Sequence, residues 1–247
     1  MIIDGLDTHT EVSGGGLAIL MLHGWKDSLE TFDSLAKELE QDYKIIRIDL
    51  PGFGGSQVPN KPWGPTEYAD FVKKVLEKLE VDELYAIITH SMGSRIVLNG
   101  IGRKVLDSEK LIIISGAGVP GHSGLKKNTL AAVAKGGKAA ASLLPKAQQK
   151  KLKNKLYGLL GSDALGAGEM EETFKLMVAE DSRKFAPDVH AQTLLMYSNN
   201  DKQTPLSNGQ ELEQLIPNAR LVMMGNLGHN IHKNDPEKTL GVIREFL

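Results

Sequence analysis

Cysteine is absent from the chain, which excludes disulfides, thiolate nucleophiles and cysteine-ligated metal sites while permitting a reducing compartment. No stretch approaches the roughly 18 consecutive apolar residues of a membrane span. Residues Met1 to Gly16 are acidic and glycine-bearing, without the basic flank and apolar core of a secretory leader. The expectation is a soluble, unprocessed, cytoplasmic protein without stable membrane insertion. Aromatic residues make up only 5% of the chain, and the net charge is a modest −2. Acidic residues are missing altogether from His122 to Tyr157, a segment with nine lysines, so the remainder carries −11. With the single aromatic Tyr157 to stack a base and a slightly acidic chain overall, no nucleic-acid partner is expected. The lysines read first as the solvated faces of short amphipathic helices, and second as a means of steering an anionic ligand.

What is present is ordinary for a globular enzyme: 41% hydrophobic and 24% charged residues over 247 positions, enough for one large α/β domain. Short apolar runs of strand length recur at Leu17 to Leu22, Tyr43 to Ile48, Leu84 to Thr89, Lys110 to Ser115, Thr193 to Tyr197 and Leu221 to Met224. Helical patterns separate most of them. Between Thr66, taken as a cap, and Leu79, the residues Tyr68, Phe71, Val72, Val75, Leu76 and Leu79 share one face. The last helix is expected to start at Asp235 as cap with Pro236 in its first turn. Continuous apolar strands alternating with helices predict a mostly parallel sheet with helices on both faces. From Gly121 to Pro187 no strand-like run appears, so residues 1–120 and 188–247 are expected to form the core and residues 121–187 a helical insertion.

In open α/β sheets ligands bind beyond the carboxyl ends of the strands, so the residues just after each run carry the most information. Thr89-His90-Ser91-Met92-Gly93 presents Ser91 at a sharp turn from strand to helix, although Thr89, β-branched, is expected to crowd it. His23-Gly24-Trp25 follows the first run, where a glycine lets the backbone expose the Trp25 N–H as an oxyanion donor beside that of Met92. Asp49-Leu50-Pro51-Gly52-Phe53-Gly54-Gly55-Ser56 lacks the lysine of a phosphate cradle, and Asp49 reads as a loop anchor. Asp201 sits just past the fifth run in a polar turn, and His229 lies on a glycine-bearing loop after the last. Each alone has an ordinary reading as a turn, a solvated carboxylate or a surface histidine. His232 competes with His229, and His90 is expected to point away from Ser91.

Taken in order, a serine, then an aspartate, then a histidine at successive strand ends resembles the α/β-hydrolase superfamily, specifically a small serine hydrolase with a helical lid. The resemblance rests on His23-Gly24, the Asp49 to Ser56 loop, the turn around Ser91, the Asp201 to Pro205 spacing, and Gly228-His229 before Asp235-Pro236. It implies Ser91 as nucleophile, His229 as general base, Asp201 as the orienting acid, Trp25 and Met92 as oxyanion donors that also line the substrate pocket, and residues 121–187 as lid. It implies neither metal nor organic cofactor.

The expected activity is that of a carboxylesterase-like serine hydrolase acting on a small acyl substrate through an acyl-enzyme. Carbon–carbon, thioester or amide hydrolysis uses the same groups and stays open. So does a binding module on a hydrolase scaffold that has lost turnover. The sequence leaves the oligomeric state open.

Overall fold

The computed structural model describes residues 1–120 and 168–247; residues 121–167, which make up most of the expected insertion and hold all nine of the lysines counted above, lie outside the described residues. Met1–Val119 and Glu172–Leu247 form one compact unit. Its strands are β1 (Ile2–Ile3), β2 (Leu6–Asp7), β3 (Thr10–Ser13), β4 (Ala18–Leu22), β5 (Lys44–Ile48), β6 (Ala86–His90), β7 (Lys110–Ile114), β8 (Gln192–Tyr197) and β9 (Ala219–Met223). The helices among the described residues are α1 (Asp33–Leu39), α2 (Pro65–Lys78), α3 (Met92–Gly102), α4 (Glu171–Ala179), α5 (Leu206–Leu215), α6 (Ile231–Asn234) and α7 (Pro236–Phe246). None of them is long and apolar enough to cross a membrane.

Seven strands join in the order β3-β5-β4-β6-β7-β8-β9. All neighbours run parallel except β3, which pairs antiparallel with β5 through Thr10 and Ile48. β4 and β6 are buried at every position, because helices cover both faces of the sheet. Alternate residues point to opposite faces. Ile19, Met21, Ile45, Ile88, Ile112 and Met196 pack with Leu35 and Leu39 of α1 and Ile243 of α7 on one side. On the other side α2 and α3 pack together, and Gly209 of α5 sits so close to Tyr197 that a Cβ would come within 2.6 Å of its ring.

Two local readings change. Helix α2 is capped by Gly64 rather than Thr66: Pro65 opens it and the Gly64 N–H donates to Glu67 Oε2 at 2.8 Å. The β1–β2 hairpin and the edge strand β3 were not expected, since they are short and mostly half-buried or exposed. The last helix begins as expected, with the Asp235 side chain accepting the Lys238 N–H at 3.1 Å. Residues 172–187 continue through α4 into 3-10 turns at Ser182–Lys184 and Ala186–Asp188.

The chain leaves β4 toward β5 on one side and later returns to β6 on the other. That reversal opens a crevice at the carboxyl ends of β4 and β6. Gly24 and Trp25 follow β4 there, and Ser91 follows β6.

Candidate active site

Ser91 holds the corner between β6 and α3 at φ 49° and ψ −110°. A residue with a side chain in that region stores about 1–3 kcal/mol and persists only when its surroundings over-determine it. Here they do. The Ser91 N–H donates to the Ile114 carbonyl at 3.1 Å, and the Ser91 carbonyl accepts from the Ser94 N–H at 3.1 Å and the Ala117 N–H at 3.0 Å. Glycine is required at 93 because a Cβ would lie 2.5 Å from the Leu22 carbonyl oxygen, and at 24 because one would lie 2.9 Å from His90 Nδ1. Thr89 does not crowd the corner. It is a fully buried residue of β6, in register with Leu22 and Ile113.

Three side chains from three strand ends converge. His229 Nε2 lies 3.0 Å from Ser91 Oγ, and His229 Nδ1 lies 2.8 Å from Asp201 Oδ2. A carboxylate only accepts, so Nδ1 carries the proton and Nε2 presents its lone pair to the serine hydroxyl. Asp201 Oδ1 accepts the N–H groups of Gln203 at 2.8 Å and Thr204 at 3.1 Å, and Oδ2 accepts the Thr204 hydroxyl at 2.7 Å. Burial raises the Asp201 pKa, but the hydrogen bonds from His229 and Thr204 outweigh it and hold the carboxyl below its ordinary value.

The loops carrying Asp201 and His229 are tied to each other. The Gly228 N–H donates to Ser198 Oγ at 2.9 Å and Asn200 Oδ1 at 2.7 Å, while the Ser198 hydroxyl reaches the Gly225 carbonyl at 2.8 Å. Thr204, Ser198 and Asn200 were not singled out from sequence. Thr204 left one signal: a hydroxyl residue three positions after an aspartate and directly before proline, where a side-chain-capped turn forms.

The Trp25 and Met92 N–H groups have no backbone acceptor among the described residues. Met92 opens α3, so its N–H also carries the positive end of the helix dipole. The Trp25 ring meets Phe53 and Phe174 edge-on at centroid distances of 4.9 and 5.0 Å, and its buried indole Nε1 has no partner among the described residues.

The remaining candidates take structural places. Asp49 anchors its loop, accepting from the N–H groups of Leu29 at 2.6 Å and Gly55 at 2.8 Å and meeting His9 Nδ1 at 2.7 Å. His23 donates from Nδ1 to the Gly24 carbonyl at 2.7 Å and accepts the Leu50 N–H at Nε2 at 3.0 Å, and burial pushes its pKa down. His232 is buried with Nε2 2.9 Å from Thr31 Oγ1, and burial pushes its pKa down to about 4. No group of three or more histidine, cysteine or carboxylate side chains fit to hold a metal occurs among the described residues.

Known proteins share both fold and sequence pattern. The family model described as alpha/beta hydrolase fold matches residues 18–104, and one described as TAP-like protein matches residues 176–247. The chain belongs to the α/β-hydrolase superfamily. It is 29% identical over 253 residues to the AB hydrolase superfamily protein YisY of Bacillus subtilis, covering 94% of this chain and 92% of that protein. The esterase EaEST of Exiguobacterium antarcticum superposes with a TM-score of 0.75 at 22% identity, over 99% of this chain and 96% of that one. The enol-lactonase of Burkholderia xenovorans LB400 does so with a TM-score of 0.76 at 17% identity, over 99% and 97%. At these identities the two structures speak to the fold alone.

Proposed function

We propose that this protein is a serine hydrolase that cleaves a small carboxylic ester or related acyl compound through an acyl-enzyme. The observation that carries the reading is the unbroken hydrogen-bonded line from Ser91 Oγ through His229 to Asp201, at 3.0 and 2.8 Å. In this reading His229 Nε2 takes the serine proton as Oγ bonds to the acyl carbon, and Asp201 stabilises the imidazolium that forms. The Trp25 and Met92 N–H groups receive the developing alkoxide, each contributing on the order of 2.7–4 kcal/mol. His229 then passes its proton to the leaving alcohol oxygen. Water, deprotonated by the same nitrogen, attacks the acyl-enzyme and releases the acid and Ser91.

A fluorophosphonate probe tests this. Labelling of the wild-type protein that disappears in Ser91→Ala, together with turnover of short p-nitrophenyl esters by the wild type alone, is the expected result. Labelling that survives Ser91→Ala would overturn the assignment.

A further inference from the structure

The mechanism above makes no use of His90, yet this buried imidazole stands where nucleophile and base meet. It immediately precedes Ser91, at the last position of β6. Its Nε2 is 3.2 Å from the backbone carbonyl oxygen of His229. A carbonyl only accepts, so His90 Nε2 carries the proton and donates. The ring is confined on every side that the packing shows. Its centroid lies 4.8 Å from that of His229 and 4.6 Å from that of His232, and Gly24 closes in against Nδ1. His232 is in turn fixed by Thr31 and by the Phe32 ring at 5.2 Å.

The loop that bears His229 needs such a hold. Gly225 and Gly228 both adopt positive φ, at 75° and 67°, conformations that glycine enters at little cost and leaves as readily. Asp201 and Ser91 bond to the two ring nitrogens of His229, whereas the bond from His90 restrains its main chain. We propose that His90 is a positioning residue: by donating its Nε2–H to the His229 carbonyl it locks the peptide that carries the general base to the strand that carries the nucleophile. This rests on the reading of Ser91 and His229 as nucleophile and base. His90 suits the task because it stays neutral. Burial pushes its pKa well down, and His232, His229 and Lys233 around it oppose a further positive charge. It therefore adds no competing cation beside the imidazolium of His229.

Two variants separate donation from packing. His90→Phe keeps a ring but removes the donor, while His90→Gln returns an N–H to the position of Nε2. Because a displacement of about 1 Å in a reacting group costs on the order of 100-fold in rate, His90→Phe is expected to lower kcat on p-nitrophenyl acetate by roughly 10- to 100-fold with KM changed less than about twofold. His90→Gln is expected to recover most of the loss. A packing role reverses the order, with the phenyl variant the more active. Unchanged kcat in His90→Phe, or equal loss in two variants that both fold by circular dichroism, would overturn the proposal. A readout independent of turnover is the His229 Nδ1–H proton resonance in a Ser91→Ala background, expected to move or broaden with His90→Phe and to return with His90→Gln. A resonance untouched by His90→Phe also counts against the proposal. Failure of the wild type to react with a fluorophosphonate would instead refute the assignment of Ser91, and the resonance would still decide the role of His90.

Discussion

The hydroxyl of Thr204 lies 2.7 Å from Asp201 Oδ2 and 3.2 Å from His229 Nδ1, so one small side chain touches both partners of that pair. The Ser115 carbonyl at the end of β7 lies 2.9 Å away, a second and more distant acceptor for the same proton. A hydroxyl has a single proton, and its shortest contact is to the carboxylate. Thr204 thereby holds Asp201 facing His229 and adds a charge-assisted bond to the ionised form.

Thr204→Val keeps the volume and removes the donor. A hydrogen bond to a charged group contributes about 1.5–3 kcal/mol, of which the part felt in the transition state sets the rate. We expect kcat on a short p-nitrophenyl ester to fall roughly 10-fold or more, the change that 1.36 kcal/mol produces. Thr204→Ser, which restores the proton, is expected to return to within a few-fold of wild type. Equal rates for the valine and serine variants would show that the hydroxyl is idle.

Stability should fall in mildly acidic solution because the buried histidines refuse protons. Burial holds His232 at about 4 in the folded protein, against 6.5 when unperturbed. Between those values the unfolded chain takes up a proton that the native state does not, so stability is fullest above pH 6.5 and is lost as pH drops toward 4. At 1.36 kcal/mol per unit the loss from His232 is on the order of 3 kcal/mol. His23 and His90, pushed the same way by burial, add to it. Asp201 acts in the same direction at lower pH: its pKa lies below 3.8 in the fold, so its contribution is present above 3.8 and disappears as pH falls through the folded value. Urea midpoints measured from pH 7 to pH 4.5 should decline, and His232→Phe should flatten the decline. A slope that His232→Phe leaves unchanged would place the effect elsewhere.

How much of this was legible in the sequence depended on whether the signal was local. β4 through β8 announced themselves because each is an apolar run bounded by polar or glycine-bearing turns, and burial on both faces leaves no alternation to blur it. Strand β3 did not, because Thr10-Glu11-Val12-Ser13 lies at the sheet edge with its side chains half-buried or exposed, and its pairing with β5 is set by residues more than 30 positions away. Ser91, Asp201 and His229 were readable because each follows a strand, and strand ends in such sheets gather at one rim. Thr204, Ser198 and Asn200 were not, since their contacts join the loop after β8 to the loop after β9, whose approach no local pattern encodes. His90 was recognised as a neighbour of Ser91, but its bond spans 139 positions to the His229 carbonyl and exists only in the fold.

The two small-residue positions flanking Ser91 make opposite predictions. Thr89 looked from sequence like a misfit in the turn, yet it lies within β6, fully buried, with its hydroxyl 3.4 Å from the Ile112 carbonyl. Thr89→Gly therefore empties a packed site and loosens a strand. Glycine within a strand costs roughly 0.5–1 kcal/mol relative to alanine, and each buried carbon lost costs about 0.8 kcal/mol more. A destabilisation of about 2 kcal/mol, read from urea unfolding, is expected with kcat little changed at temperatures where the variant is folded. Gly93→Ala should do the reverse. Its new Cβ would stand 2.5 Å from the Leu22 carbonyl oxygen, a backbone atom that cannot rotate away. Leu22 leads directly into His23-Gly24-Trp25, so relief of the clash moves α3 and the Met92 N–H away from the Trp25 N–H. Since each oxyanion donor contributes about 2.7–4 kcal/mol to the transition state, kcat should fall by on the order of 100-fold or more while fluorophosphonate labelling slows in parallel. A Gly93→Ala enzyme with wild-type kcat would mean that the two amides do not act together on the alkoxide.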